Sequence, residues 1–203
     1  MAEPSAVRVE ALAGPAIARV LDALARLRIE VFRDFPYLYD GDLAYESWYL
    51  ERFSTAPDAL VVGAFDGDRL VGAATAVPLI HEHEDFKAPF RRHGIDPGEV
   101  FYLAESVLLP AYRGRGVGHA FFDAREASAR RLGFRKTAFC AVVRPADHPL
   151  RPAGYRPLDA FWEKRGYRPV PGLTATFPWK DLGDAQETAK PMQFWLRPLE
   201  VEA

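Results

Sequence analysis

The chain has 203 residues, of which 49% are hydrophobic and 13% aromatic, enough apolar material for a sizeable core and too much for a disordered segment. Its formal charge of −2 removes any bulk electrostatic case for nucleic acid. A single cysteine, Cys140, excludes an internal disulfide and fits a reducing, cytoplasmic setting; it lies in an apolar run, as a buried and inert thiol would. The length fits one domain over 1–203. No basic region followed by an apolar core opens the chain, and the run Gly14 to Ala25 is broken by Arg19 and Asp22, so neither a secretory signal nor a membrane span is expected.

Taken in order, Val7, Val9 and Ala11 alternate with Arg8 and Glu10 as in a half-buried strand. Gly14-Pro15 opens a helix whose stripe is Ile17, Leu21, Leu24, Arg28 and Val31, and Phe35-Pro36 ends it. A loop follows from Pro36 to Gly41. A second helix carries Tyr45, Trp48, Tyr49, Arg52 and Phe53 at helical spacing, a stripe that reads mostly as core. Ala59 to Phe65 and Leu70 to Leu79 form a hairpin about Asp66-Gly67-Asp68. His81 to Gly98 is a polar excursion with one short helix. Its His81-Glu82-His83-Glu84-Asp85 run has two histidines at ligand-like spacing but no further ligand cluster, so it reads as a solvated loop and no metal is expected.

Val100 to Leu109 is a strand that stops at Pro110, which has no N–H to continue a ladder. The turn Arg113-Gly114-Arg115-Gly116-Val117-Gly118 leads into a helix. There Val117, Phe121, Ala124 and Ser128 share one face, while Asp123, Arg125, Glu126 and Arg130 fall on others. Gly133 sits at the C-terminal cap. Arg135 to Val143 is strand-like and 144–157 is irregular. Leu158, Phe161 and Trp162 mark a short helix that ends at Gly166, and Leu173 to Trp179 and Met192 to Leu196 are the last two strands.

Strand, glycine turn and helix together make a phosphate site, because the free amides of the turn and of the first helical turn donate to an anion. A Walker loop fails here, since Gly118 is followed by His119 rather than Lys. A dinucleotide fingerprint fits Gly114 and Gly116 but meets His119 where a third glycine is needed. The pattern [QR]-x-x-G-x-[GA] is matched in full by Arg113, Gly116 and Gly118. With its strand and proline, this segment resembles the acetyl-CoA pyrophosphate loop of the GNAT N-acetyltransferase superfamily, and Phe161-Trp162-Glu163-Lys164-Arg165-Gly166-Tyr167 looks like that family's F-Y-E-K-x-G-F element.

The resemblance implies an α/β fold: a mixed, mostly antiparallel sheet with helices on both faces and a splayed parallel strand pair that holds acetyl-CoA. It implies acetyl transfer from acetyl-CoA, the co-substrate, to a primary amine of a small molecule; the alternative is a non-catalytic acetyl-CoA sensor of the same fold. By position, Val107, Leu108 and Leu109 meet the pantetheine arm, and Arg113, Gly114, Arg115, Gly116, Val117, Gly118 and His119 meet the diphosphate. An ammonium of pKa about 10.4 must lose a proton before it can attack, so the chemistry needs a base. Glu105, inside the apolar run Tyr102 to Val107, is the carboxylate available on the central strand. Where many members carry a tyrosine as acid, this chain has Trp162; Tyr155, Tyr167 or no protein acid remain as readings. Tyr37 and Tyr39 lie in the loop that by resemblance borders the acceptor, and two residues apart in extended chain they point to opposite sides. Aromatic faces beside Asp34, Asp40 and Asp42 favour a cation with an apolar body. Neither nucleic acid nor membrane is an expected partner, and a monomer or homodimer is expected.

Overall fold

The computed structural model describes residues 7–200. Its elements run β1 (Arg8–Ala13), α1 (Leu21–Phe32), α2 (Leu43–Thr55), β2 (Leu60–Asp66), β3 (Arg69–Pro78), α3 (Glu84–Arg92), β4 (Val100–Leu108), α4 (Val117–Arg131), β5 (Lys136–Val142), α5 (Asp159–Lys164), β6 (Arg168–Trp179) and β7 (Thr188–Pro198). Seven strands form one sheet in the order β1-β2-β3-β4-β5-β7-β6. Every pairing is antiparallel except that of β4 with β5. This is the mixed, mostly antiparallel sheet the resemblance implies.

Side-chain alternation on β4 shows where the helices lie. Glu105 and Ser106 point to opposite faces. Glu105 meets Arg28 of α1, and Ser106 meets Arg125 of α4. The two helices therefore cover opposite faces of the sheet. Between them β2 and β3 are buried almost end to end, as strands covered on both sides must be.

Two sequence readings need correction, and α4 adds a feature the periodicity does not reveal. The first helix does not open at Gly14: residues Gly14–Arg19 form a tight 3-10 turn, and the α-helix begins at Leu21. On α2 the stripe Tyr45 and Trp48 is not core; they are 50% and 68% exposed, and the buried face is Glu46, Leu50 and Phe53. A glutamate takes a core position there because Arg28 pairs with it inside the protein. On α4, Arg125 and Glu126 lie off the apolar stripe yet are buried, and each has partners reaching it from distant segments of chain.

The parallel pair β4–β5 is short. Registered partners are Val100 with Lys136, Phe101 with Thr137 and Tyr102 with Ala138, and pairing stops there while β5 continues against β7. At the same point the β3–β4 ladder breaks step. Thr75 faces Glu105 and Val77 faces Tyr102, so Leu103 and Ala104 of β4 stand opposite Ala76 alone. An extra residue bends its strand and strengthens its twist. The bulge turns β4 away from β5 and opens a cleft between them.

Glu126 fastens α4 across this cleft's far wall. Its Oε1 accepts from the Tyr167 hydroxyl at 3.1 Å, and its Oε2 accepts from Arg165 at 3.2 Å and Arg197 at 2.7 Å. Glu126→Ala removes the shared anion and leaves two guanidinium groups and a buried phenol without it. The expected cost is about 3–5 kcal/mol, read as a lower denaturant midpoint at unchanged m-value.

Candidate active site

The cleft measures about 1310 Å³. One wall is β4 from Leu103 to Ser106 with Leu108, and the other is β5 from Phe139 to Val142. Gly114, Gly116, Gly118 and His119 close one end; Phe32, Phe35, Pro36 and Tyr37 close the other, with Arg151 to Asp159 and Trp162 along the rim.

The glycine turn is shaped by conformation. Gly114 has φ 75° and Gly116 φ 80°, left-handed values that a side chain makes costly, and an added Cβ at either would meet nothing within 4 Å. Gly116 is the N-cap of α4, and no side chain caps that end. Ala120 is the first residue bonded within the helix, to Gly116 O at 3.1 Å, so the amides of Val117, Gly118 and His119 are left free to donate. The amide of Arg113 is committed to Pro110 O. Its side chain donates to Leu108 O at 3.1 Å, while Arg115 lies over the Tyr112 ring and away from the cleft. An anion at this turn is held by backbone from Gly114 onward more than by the two arginines.

Along β4 the free edge is set by ladder alternation. Leu109 N donates to Val71 O at 3.0 Å, and Val107 is registered with Ala73. Residues of that parity turn their backbone groups towards β3, so Val107 and Leu109 do not offer them to the cleft. Ser106 and Leu108 do. The side chains of Val107, Leu109 and Val117 are buried in the core.

Glu105 lines the cleft. Its Oε2 is held by Arg28 at 2.5 Å and lies 3.5 Å from the Tyr49 hydroxyl, whereas its Oε1 is buried without a partner. Arg28 also binds Glu46. Tyr49 accepts from Arg52 at 2.5 Å, and Arg52 binds Glu82 at 2.6 Å. A string of buried ionic groups thus runs Glu46, Arg28, Glu105, Tyr49, Arg52, Glu82 behind the cleft wall. Burial lowers the charge affinity of Arg28, but Glu105, Tyr49 and Glu46 around it hold it above the usual guanidinium value. Glu82 is pushed up by burial, against Arg52, and its burial corrects the reading of His81 to Asp85 as fully solvated. Sequence reasoning missed this string, although Arg28 and Arg52 stand inside apolar helical stripes, where an arginine signals a buried partner.

Tyr37 lines the cleft, its ring 4.6 Å from Phe32 and its phenol raised by burial and by nearby Cys140 and Glu105. Arg144 and Trp179 both donate to its carbonyl and pin the loop. Tyr39 points elsewhere: it forms a β-bridge with Asp181, and its ring packs beside Gly41. Trp162 sits against Phe139 and Trp195, with ring centroids at 4.9 and 5.1 Å. Of the two tyrosines weighed as its substitute, Tyr167 is fully buried and committed to Thr137 and Glu126, while Tyr155 lines the cleft. Cys140 also lines it, half-buried, bonded to the Tyr102 hydroxyl at 3.1 Å, and burial pushes its thiol up to about 12, so it is no thiolate at neutral pH. Among the described residues no three metal-ligating side chains gather, and no helix is long and apolar enough to cross a membrane.

A profile of the Acetyltransferase (GNAT) family matches residues 22–167. The chain belongs to the GNAT acetyltransferase family. Acetyl-CoA is therefore its co-substrate, and the free amides at the glycine turn and the open β4 edge fit that molecule's diphosphate and its pantetheine amides. Solved structures share the fold at low identity. One is yncA from Salmonella typhimurium with its cofactor acetyl-CoA, TM-score 0.60, 13% identical, covering 98% of this chain and 97% of that one. A ribosomal-protein-alanine N-acetyltransferase from Brucella melitensis has TM-score 0.60 at 15% identity, covering 95% and 99%. An aminoglycoside 6′-acetyltransferase type Ii has TM-score 0.58 at 18% identity, covering 97% and 99%. A search of curated proteins finds no match.

Gly116→Val forces a left-handed conformation at a cost of about 1–2 kcal/mol, so acetyl-CoA Kd should rise about tenfold or more by calorimetry. Arg115→Ala removes an exposed charge and should change Kd less than about fivefold. Equal losses in the two variants would contradict the backbone assignment.

Proposed function

We propose that this protein transfers the acetyl group of acetyl-CoA to the primary amine of a small molecule with an apolar body, and that Glu105 is the general base. The observation that carries this reading is the Glu105 carboxylate: the residue lines the cleft, one oxygen is fixed by Arg28, and the other is buried without a partner. A carboxylate removed from water is costly unless paired or used, and only half of this one is paired.

Acetyl-CoA supplies an electrophilic thioester carbonyl. The Glu105 carboxylate takes one proton from the acceptor's ammonium nitrogen, the freed lone pair forms the new C–N bond as the C–S bond breaks, and the second proton that the nitrogen loses goes to the departing thiolate, which leaves as free CoA thiol. Leu103 and Ala104, the bulged residues, line the cleft with backbone released from the β3 ladder, which suits them to polarise the carbonyl oxygen. Tyr155 lines the rim and is the tyrosine we assign to relay that proton to the leaving sulfur.

The acceptor end favours a cation on an apolar scaffold. Phe32, Phe35, Pro36 and Tyr37 present apolar faces there. Behind them the carboxylates Glu46, Glu82 and Glu105 are matched by the guanidiniums Arg28, Arg52 and Arg125, so the preference for a cation rests on the aromatic faces and on Glu105 at the cleft. One structural relative is named a ribosomal-protein-alanine N-acetyltransferase, which supports nitrogen as the acceptor atom, and another is named an aminoglycoside 6′-acetyltransferase, which supports a small-molecule acceptor. A cytoplasmic monomer or homodimer completes the reading.

The test is a panel of amines read by thiol release. Glu105→Gln should lower turnover on the best amine by about 10²–10⁴-fold, with acetyl-CoA affinity unchanged. Turnover that survives the substitution at both neutral and high pH would remove Glu105 from the role. Failure of every amine to release thiol with native protein would favour the acetyl-CoA sensor instead.

A further inference from the structure

Arg125 is the bulkiest of the fully buried side chains, 1% exposed. It lies on α4 above the β3–β4 seam. Its Nε donates to Phe121 O at 3.1 Å, within its own helix. One terminal nitrogen donates to both Thr75 O at 3.2 Å and Glu105 O at 3.1 Å, and the other donates to Ser106 Oγ at 2.8 Å. Thr75 and Glu105 are the last registered pair before the bulge. The guanidinium thus takes the two carbonyls where the ladder loses step.

No ion pair to Arg125 is found among the described residues, and the carboxylates near it are engaged elsewhere: Glu105 with Arg28, Glu126 with Arg165 and Arg197. Burial lowers its pKa to about 10, which still leaves it a cation at neutral pH. A depressed cation costs the fold stability at every pH below that value. All four of its acceptors are uncharged oxygens, and two of them are the carbonyls of the Thr75–Glu105 pair, so the cation is spent on the strand seam rather than on an anion. The same helix that carries this side chain begins at the glycine turn. Arg125 therefore ties the diphosphate end of the cleft to the strand segment that carries the base.

We propose that Arg125 is a positioning residue for acetyl transfer, clamping the carbonyls of Thr75 and Glu105 so that the β4 bulge, the Glu105 carboxylate and the helix that receives acetyl-CoA keep one fixed geometry. Its charge also acts on Glu105 through the strand. The groups around that carboxylate are Arg28 on α1, Glu46, Tyr49 and Arg52 on α2, Tyr37 in the loop after α1, Glu82 after β3, and Arg125 on α4. Arg125 is the cation on the opposite face of the sheet from the other two, so its removal is not made good by a neighbour. Loss of a nearby cation raises a carboxyl pKa, and activity that needs the carboxylate then falls at a higher pH.

This inference rests on the base role of Glu105, and three variants separate the two. Arg125→Gln keeps a neutral donor, Arg125→Lys keeps the charge without the planar fork, and Glu105→Gln removes the base. For folded Arg125→Gln we expect kcat to fall about 10²-fold, the cost of a small misplacement of reacting groups, with acetyl-CoA KM little changed. Its acid limb in kcat should move to higher pH. Arg125→Lys should lose kcat but keep the limb where the native enzyme has it. A folded Arg125→Gln with native kcat and native limb overturns the proposal, as does a kcat loss that only matches the unfolded fraction. Should Arg125→Gln not fold, Arg125→Lys decides, and native kcat in that variant overturns it. If Glu105→Gln leaves the acid limb in place, it is the base assignment that fails. If the limb vanishes there while the Arg125 variants behave as native, the clamp alone fails.

Discussion

The site depends on one extra residue in β4. Where Leu103 and Ala104 stand opposite Ala76, the strand bends, and its parallel pairing with β5 ends at Tyr102. Without that mismatch β4 and β5 would continue side by side and no cleft would exist. The same bend frees the cleft-facing edge at Ser106 and Leu108 and sets Glu105 on the wall facing α1. A bulge leaves backbone groups unpaired, and buried unpaired groups are costly. Arg125 offsets that cost for two carbonyls.

Electrostatics then decide what the bent strand can do. Glu105 stands in an apolar run, where Arg28 holds one of its oxygens and shares itself with Glu46. Breaking such a pair from one side leaves an uncompensated buried charge, which costs far more than an exposed pair contributes. The surface arginines of the glycine turn are the opposite case. Arg113 and Arg115 are spent on Leu108 O and the Tyr112 ring, and the work of holding an anion passes to amides that helix geometry leaves free. The donors free at the glycine turn are thus backbone amides, while the far end of the cleft is lined by side chains of α1 and the loop after it.

The parts legible in the sequence are those where one local rule suffices. Gly114 and Gly116 announce left-handed backbone, Pro110 ends a ladder, and Glu105 is conspicuous as the lone carboxylate in an apolar strand. Helical periodicity reads Tyr45 and Trp48 as core and is wrong for both, and it gives no sign that Arg125, Glu126 and Glu46 are buried, because their partners lie far away in sequence. Arg28 meets Glu105 and Glu46, and Arg125 meets Thr75, contacts that no window of one helix contains. Strand identity is legible at Val107 to Leu109, but that Val107 and Leu109 turn their backbone groups to β3 and Ser106 and Leu108 turn theirs away follows only from the register. Between Tyr37 and Tyr39, alternation gave the rule that they diverge, and only the fold says that Tyr37 is the one on the cleft.

Amide hydrogen exchange followed residue by residue, with and without acetyl-CoA, tests the central claim most directly: the co-substrate lies along the freed edge of β4 with its diphosphate on the α4 N-terminus. Saturating acetyl-CoA should slow exchange at Val117, Gly118 and His119 and at the cleft-facing amides of Ser106 and Leu108. Val107, already facing β3, should change far less. Unchanged exchange at the α4 N-terminus, or protection at Val107 without protection at Ser106, would contradict this account of the site.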